Sequence, residues 1–83
     1  MIKLLDVKPL KAHRLELRFS DNTLGVFDGS AYLATRQGPL LEALRNPVYF
    51  ERCFVDAGGL CWPNGLELSG ARLRELVTAA QAA

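Results

Sequence analysis

Nucleophilic catalysis needs a serine, threonine or cysteine within hydrogen-bond reach of a base. In these 83 residues the scarce parts are a single histidine, His13, and two cysteines, Cys53 and Cys61. A thiol activated by a cation would require Arg52 or His13 beside it; the plainer alternative is a small apolar side chain packed near Trp62 or Phe54. A metal centre needs three or four convergent His, Cys, Asp or Glu ligands. One histidine and two cysteines eight positions apart do not supply them. A phosphate cradle is also missing, because Gly58-Gly59 runs into Leu60 and Cys61 rather than Lys and Ser or Thr. Asp28 and Asp56 would have to meet in a cleft to act as an acid and base pair. Asp28, followed by Gly29-Ser30, fits instead an aspartate that accepts hydrogen bonds from nearby backbone amides. The expectation is a protein that is not an enzyme and carries no cofactor or metal.

The remaining functional chemistry is that of arginine: Arg14, Arg18, Arg36, Arg45, Arg52, Arg72 and Arg74 are the groups best able to hold an anionic partner. Ten Lys and Arg against nine Asp and Glu leave a net charge of +1, far from the balance of a dedicated nucleic-acid binder. Nucleic acid is therefore not expected for this chain alone. The residues are 49% hydrophobic and 23% charged, which excludes disorder and low complexity. A single domain over 1–83 is expected. At this length folding hides only about 60 to 65% of the unfolded chain's surface, so association with another chain would add useful stability. Asp6 interrupts the apolar start that a secretory signal needs, and no apolar run is long enough to span a bilayer. The expected location is cytoplasmic, with no membrane contact.

The elements that must position these groups follow from periodicity. From Ala12 to Phe19, the residues His13, Leu15, Leu17 and Phe19 alternate with Arg14, Glu16 and Arg18, the period of a strand with one wet face. Asp21-Asn22 reads as a two-residue hairpin loop. That loop sets Phe19 opposite Leu24, Leu17 opposite Val26, Glu16 opposite Phe27 and Leu15 opposite Asp28. Phe27 then joins Arg14, Glu16 and Arg18 on the wet face. Ile2 to Val7 forms an earlier strand closed by Pro9, with Leu4 and Leu5 both candidates for the core. Gly38-Pro39 and Asn46-Pro47 open two short helical turns, and Ser30 to Leu33 forms another. Arg52 to Ala57 and Leu60 to Pro63 flank a Gly58-Gly59 loop, with Val55 opposite Trp62 and Asp56 opposite Cys61. Cys53, Val55, Leu60 and Trp62 then share one face and Phe54, Asp56 and Cys61 the other, too far apart for a disulfide between the two cysteines. Pro63-Asn64-Gly65 is a turn with positive φ at Gly65. Ser69 caps a final helix whose apolar face is Leu73, Leu76, Val77 and Ala80, with Arg72, Arg74, Glu75 and Thr78 in solvent. The whole is a two-layer α+β domain: an antiparallel meander plus a C-terminal hairpin, backed by short helices and a C-terminal helix.

Phe19-Ser20-Asp21, Asp28, Leu44 through Asn46-Pro47 to Phe50, Val55-Asp56, and Trp62-Pro63-Asn64-Gly65 with Leu66 and Leu68 occur here in one order. In this the chain resembles the bacterial "domain of unknown function 2442" family over nearly its whole length. The Trp62-Pro63-Asn64-Gly65 element is the most specific part, and with Asp28 it forms the structural signature. Two residues depart from the pattern: Asn22 where the family usually has Gly, and Glu67 where Asp is common. The resemblance implies a small α+β domain with an antiparallel sheet backed by helices, and it assigns no biochemical role. Relatives stand alone or precede a helix-turn-helix domain, and some lie beside a second small protein in a paired, antitoxin-like arrangement. With elements that close after one helix-covered sheet, no such appended domain is expected here.

These readings converge on a protein-interaction or regulatory module. The expected partner surface is an edge strand or the face of Arg14, Glu16, Arg18 and Phe27, taking a second copy of the chain or a second small protein. Two alternatives belong to other classes: a nucleic-acid-linked regulator acting through a partner, and a small thiol-dependent enzyme. Trp62 is read as a core anchor rather than an exposed platform.

Overall fold

The β2–β3 hairpin shows how one residue in a loop decides which side chains reach the core. In the computed structural model, which describes residues 1–82 and their side chains through Val77, β2 spans Arg14–Phe19 and β3 spans Leu24–Asp28. Their loop has three residues, not two. Phe19 and Thr23 close it, with the Phe19 N–H donating to the Thr23 carbonyl at 2.9 Å and the Asn22 N–H to the Phe19 carbonyl at 3.0 Å. Asn22 takes the left-handed conformation at φ 68°, and the Asp21 carboxylate accepts from the Thr23 N–H at 3.1 Å. This is a turn followed by a left-handed residue, the common three-residue hairpin. The extra residue moves every β3 partner by one, so Leu15 faces Phe27, Glu16 faces Val26, Leu17 faces Gly25 and Arg18 faces Leu24.

A shift of one reverses a strand's faces. Phe27 therefore lies in the core at 3% exposure, and Leu24 and Val26 turn to the outside. The expected placement of Phe27 on the wet face is corrected by this register. Burying Phe27 in place of Leu24 removes the larger apolar surface from water. Gly25 completes the arrangement: a Cβ there would stand 2.7 Å from Val77 Cγ2, so glycine lets the C-terminal helix lie directly on β3.

β1, Leu4–Leu10, pairs antiparallel with β2 and forms the other edge of a sheet ordered β1-β2-β3. The strand runs three residues beyond Val7 and contains Pro9, opposite Leu15. A bulge at Leu5 settles which leucine is inside: Leu4 is buried opposite Phe19, and Leu5 is 46% exposed.

The second sheet, β4-β5-β6, consists of Phe54–Asp56, Gly59–Cys61 and the two-residue Glu67–Leu68, a strand the periodicity did not reveal. The β4–β5 loop is Ala57-Gly58, with φ of 50° and 79°, rather than Gly58-Gly59. Its pairs are Phe54 with Cys61, Val55 with Leu60 and Asp56 with Gly59. This register differs from the expected one by two residues, which leaves the faces unchanged. Leu60 and Trp62 point to the core, at 0% and 1% exposure, with Val55 and Cys53 packed against it.

Three short helices follow the signals of their first residues. Asp28 caps α1 (Gly29–Ala34) by accepting from the Ala31 N–H at 3.1 Å. Gly38-Pro39 opens α2 (Pro39–Leu44), and Asn46 caps α3 (Pro47–Phe50) through the Val48 N–H at 2.9 Å. Ser69 caps α4 (Gly70–Ala82) through the Arg72 N–H at 3.1 Å. Leu73 and Val77 on α4 are buried and Leu76 packs against the core, while the side chain of Ala80 lies outside the described residues. The α+β architecture thus has both sheets and all four helices around one apolar cluster, from Leu4 to Val77.

Candidate interaction surface

The chemistry-bearing residues are mostly tied into this scaffold. His13 sits in the β1–β2 turn at φ 61°, stacked on Phe50 with ring centroids 4.1 Å apart. Its Nε2 lies 2.7 Å from the Leu44 carbonyl, which only accepts, so Nε2 carries the proton and is engaged in joining the turn to α2. Both cysteines are free thiols. Burial pushes the Cys53 thiol up to about 11, with Glu51 adding to the rise. Burial also raises Cys61, aided by the Glu67 and Asp56 carboxylates. Both thiols are therefore protonated near neutrality, the opposite of what an activated nucleophile requires. Among the described residues no three His, Cys, Asp or Glu side chains converge, and no helix is long and apolar enough to cross a membrane.

The Trp62-Pro63-Asn64-Gly65 element is built like the Phe19 loop. The Trp62 N–H donates to the Leu66 carbonyl and the Gly65 N–H to the Trp62 carbonyl, both at 3.0 Å. Asn64 accepts from the Leu66 N–H at 3.1 Å, as Asp21 does from Thr23, and Gly65 at φ 94° takes the part of Asn22. In both loops a buried aromatic precedes the turn. Trp62 also donates from Nε1 to the Phe50 carbonyl at 2.9 Å, and Asn64 Nδ2 donates to the Leu40 carbonyl at 3.0 Å. This element fastens the second sheet to α2 and α3.

Several arginines are structural as well. Arg45 donates to the Leu33 and Arg36 carbonyls at 3.1 and 2.8 Å and pairs with Glu42 at 2.8 Å, holding the end of α1. Arg74, expected in solvent, is half-buried. It bonds Asp21 at 3.1 Å and Thr23 Oγ1 at 3.2 Å, fixing α4 to the β2–β3 loop. Hydrogen bonds from Thr23, side chain and backbone, and the Arg74 guanidinium lower the Asp21 carboxyl below its ordinary range.

The outer face of the first sheet is what remains. Arg14, Glu16 and Arg18 all point there, without Phe27. Cross-strand neighbours on this face have opposite charge: Arg14 faces Asp28, Glu16 faces Lys8 and Arg18 faces Asp6. Opposed charges across strands favour this sheet over alternatives and leave its face neutral as a whole. Sequence reasoning missed the two apolar residues on the same face: Leu24, 57% exposed, and the half-buried Val26. The signal was present in the loop, where Asp followed by Asn suits a left-handed third position as well as a two-residue turn.

The two edges of this sheet differ. β1 carries a bulge at Leu5, a proline at position 9 and the exposed charges Asp6 and Lys8, the usual devices that prevent another strand from adding. β3 has no bulge, no proline and no charge from Leu24 to Phe27. Beside it, between β3, α1 and α4, lies a cavity of about 180 Å³ lined by Val26, Phe27, Tyr32, Arg36 and Leu76 among others.

Compared with known proteins, the chain matches over residues 4–79 the model of one family, described as "Protein of unknown function (DUF2442)". No curated protein and no solved structure matches it.

Proposed function

The chain belongs to the DUF2442 family, and on that premise we propose that it is a non-enzymatic protein-interaction module whose working surface is the β3 edge with the adjoining face of Arg14, Glu16 and Arg18. The observation that carries this reading is the contrast between a protected edge and an open one in a single small sheet. Addition of a strand to an open edge supplies main-chain hydrogen bonds, and alternate side chains give specificity. Here Leu24 and Val26 offer apolar contact, and the arginines and Glu16 behind them offer charge. The paired, antitoxin-like setting implied by the family resemblance is one in which such an edge would work. Two free thiols agree with a reducing, cytoplasmic compartment.

The test is purification of the untagged protein from its native source, with mass spectrometry of whatever remains bound. The expected result is a protein in stoichiometric amount, either a second chain or a second copy, whose retention is lost in the Leu24→Glu variant. Recovery of a lone monomer contradicts the reading.

A further inference from the structure

We infer that the occupant of the β3 edge is a second copy of this chain, joined by antiparallel β3–β3 pairing about a two-fold axis at Val26 into a continuous six-stranded sheet. The inference rests on the interaction-module reading and names its partner. Ladder bonds at the two ends of the hairpin, Phe19 N–H to the Thr23 carbonyl and Gly29 N–H to the His13 carbonyl, fix the alternation along β3. By that alternation the backbone groups of Leu24 and Val26, and the Asp28 N–H, point away from β2. β3 is terminal in its sheet, so no strand among the described residues meets them. Only a register centred on Val26 overlays all of Leu24–Asp28 on its own copy, and it sets Val26 against Val26 and Leu24 against Asp28.

Charge argues for the same occupant. Within one chain, Arg14 faces Asp28 and Leu24 faces Arg18, which in turn faces Asp6. Centring on Val26 joins these rows end to end. The order across the seam becomes Arg14, Asp28, then the partner's Leu24, Arg18 and Asp6, so the signs keep alternating through the junction. The two-fold axis makes the same row in reverse, as an isologous interface requires. Four apolar side chains, Leu24 and Val26 from each copy, line the seam on the outer face.

The test is sedimentation velocity over a range of concentrations, combined with two cysteine variants. The wild-type protein is expected to double its mass as concentration rises. Leu24→Glu is expected to remain monomeric yet folded, because the new carboxylate faces Arg18 within its own chain but the partner's Asp28 across the seam. Under oxidised glutathione, Val26→Cys should yield a disulfide-linked dimer. Leu24→Cys should not, since its two copies would stand roughly 13 Å apart along the strands. A wild-type monomer throughout, a dimer unaffected by Leu24→Glu, or equal cross-linking of both cysteine variants would overturn the second copy as occupant. The two readings separate cleanly: a monomer that still retains a different protein through Leu24 removes the second copy and leaves the module, whereas a monomer that retains nothing removes both.

Discussion

The inner and outer faces of the β1-β2-β3 sheet are made by the same three strands and obey different rules. Leu4, Leu15, Leu17, Phe19 and Phe27 on the inner face are between 0 and 3% exposed and share one apolar cluster with residues of the helices and the second sheet. The outer face pairs each charge with its opposite and then ends at an apolar margin, Leu24 and Val26, where among the described residues no further strand adjoins β3. Substitutions inside should therefore cost stability, and substitutions at the outer margin should cost association. One open edge is the unusual feature of this small domain, and the core accounts for the rest.

The largest effect is expected at Trp62, the biggest fully buried side chain. Trp62→Ala should lower stability by about 3 to 5 kcal/mol, enough to remove most of a small domain's margin. Trp62→Phe isolates one part of that loss, leaving the Phe50 carbonyl without the indole donor at a cost of about 1 to 3 kcal/mol. Chemical denaturation measures both, and an unchanged midpoint for Trp62→Ala would remove the core anchor.

Phe27→Ala is the sharpest break of the comparison, since it separates the two registers directly. With Phe27 inside, it should cost about 3 to 4 kcal/mol; a wet-face phenylalanine would be worth little. Leu24→Glu, three residues away on the other face, should change stability by no more than about 0.5 kcal/mol while abolishing self-association. A denaturation midpoint for Phe27→Ala above that of Leu24→Glu would mean that the faces have been exchanged.

The smallest effect belongs to Asp21, at the loop that sets the register. Its folded carboxyl titrates below its ordinary value, so its contribution is complete above the unfolded pKa and is lost as pH falls through the lower, folded one. Asp21→Asn should melt slightly below wild type at neutral pH, and the two should converge in acid. A gap between them that is independent of pH would assign the loop's stability to its backbone geometry alone.

The two hairpins show which parts of this fold were legible in the sequence. Both were predicted with two-residue loops, and both registers were displaced. For β4–β5 the displacement was two residues, which preserves side-chain parity, and so Cys53, Val55, Leu60 and Trp62 were placed on the correct face. For β2–β3 it is one residue, which inverts the strand: Phe27 lies in the core, and Leu24 and Val26, expected on the face of Phe19 and Leu17, lie outside. A periodic pattern fixes which residues of a strand travel together. The face they take depends on the number of residues in the turn, and Asp21-Asn22 suits two lengths. The helix starts and caps at Asp28, Pro39, Pro47 and Ser69 were legible because each rests on one residue's local chemistry. Arg74 was not, since its partner Asp21 is distant in sequence. The arginine face was found, and its apolar margin was hidden by the same one-residue inversion.

The most direct test of the account is the self-association of the wild-type chain beside Leu24→Glu, followed by sedimentation velocity at matched concentrations and with matched circular dichroism. Pairing of two β3 edges predicts a wild-type dimer and a folded, monomeric variant. Identical sedimentation of the two folded proteins would contradict it.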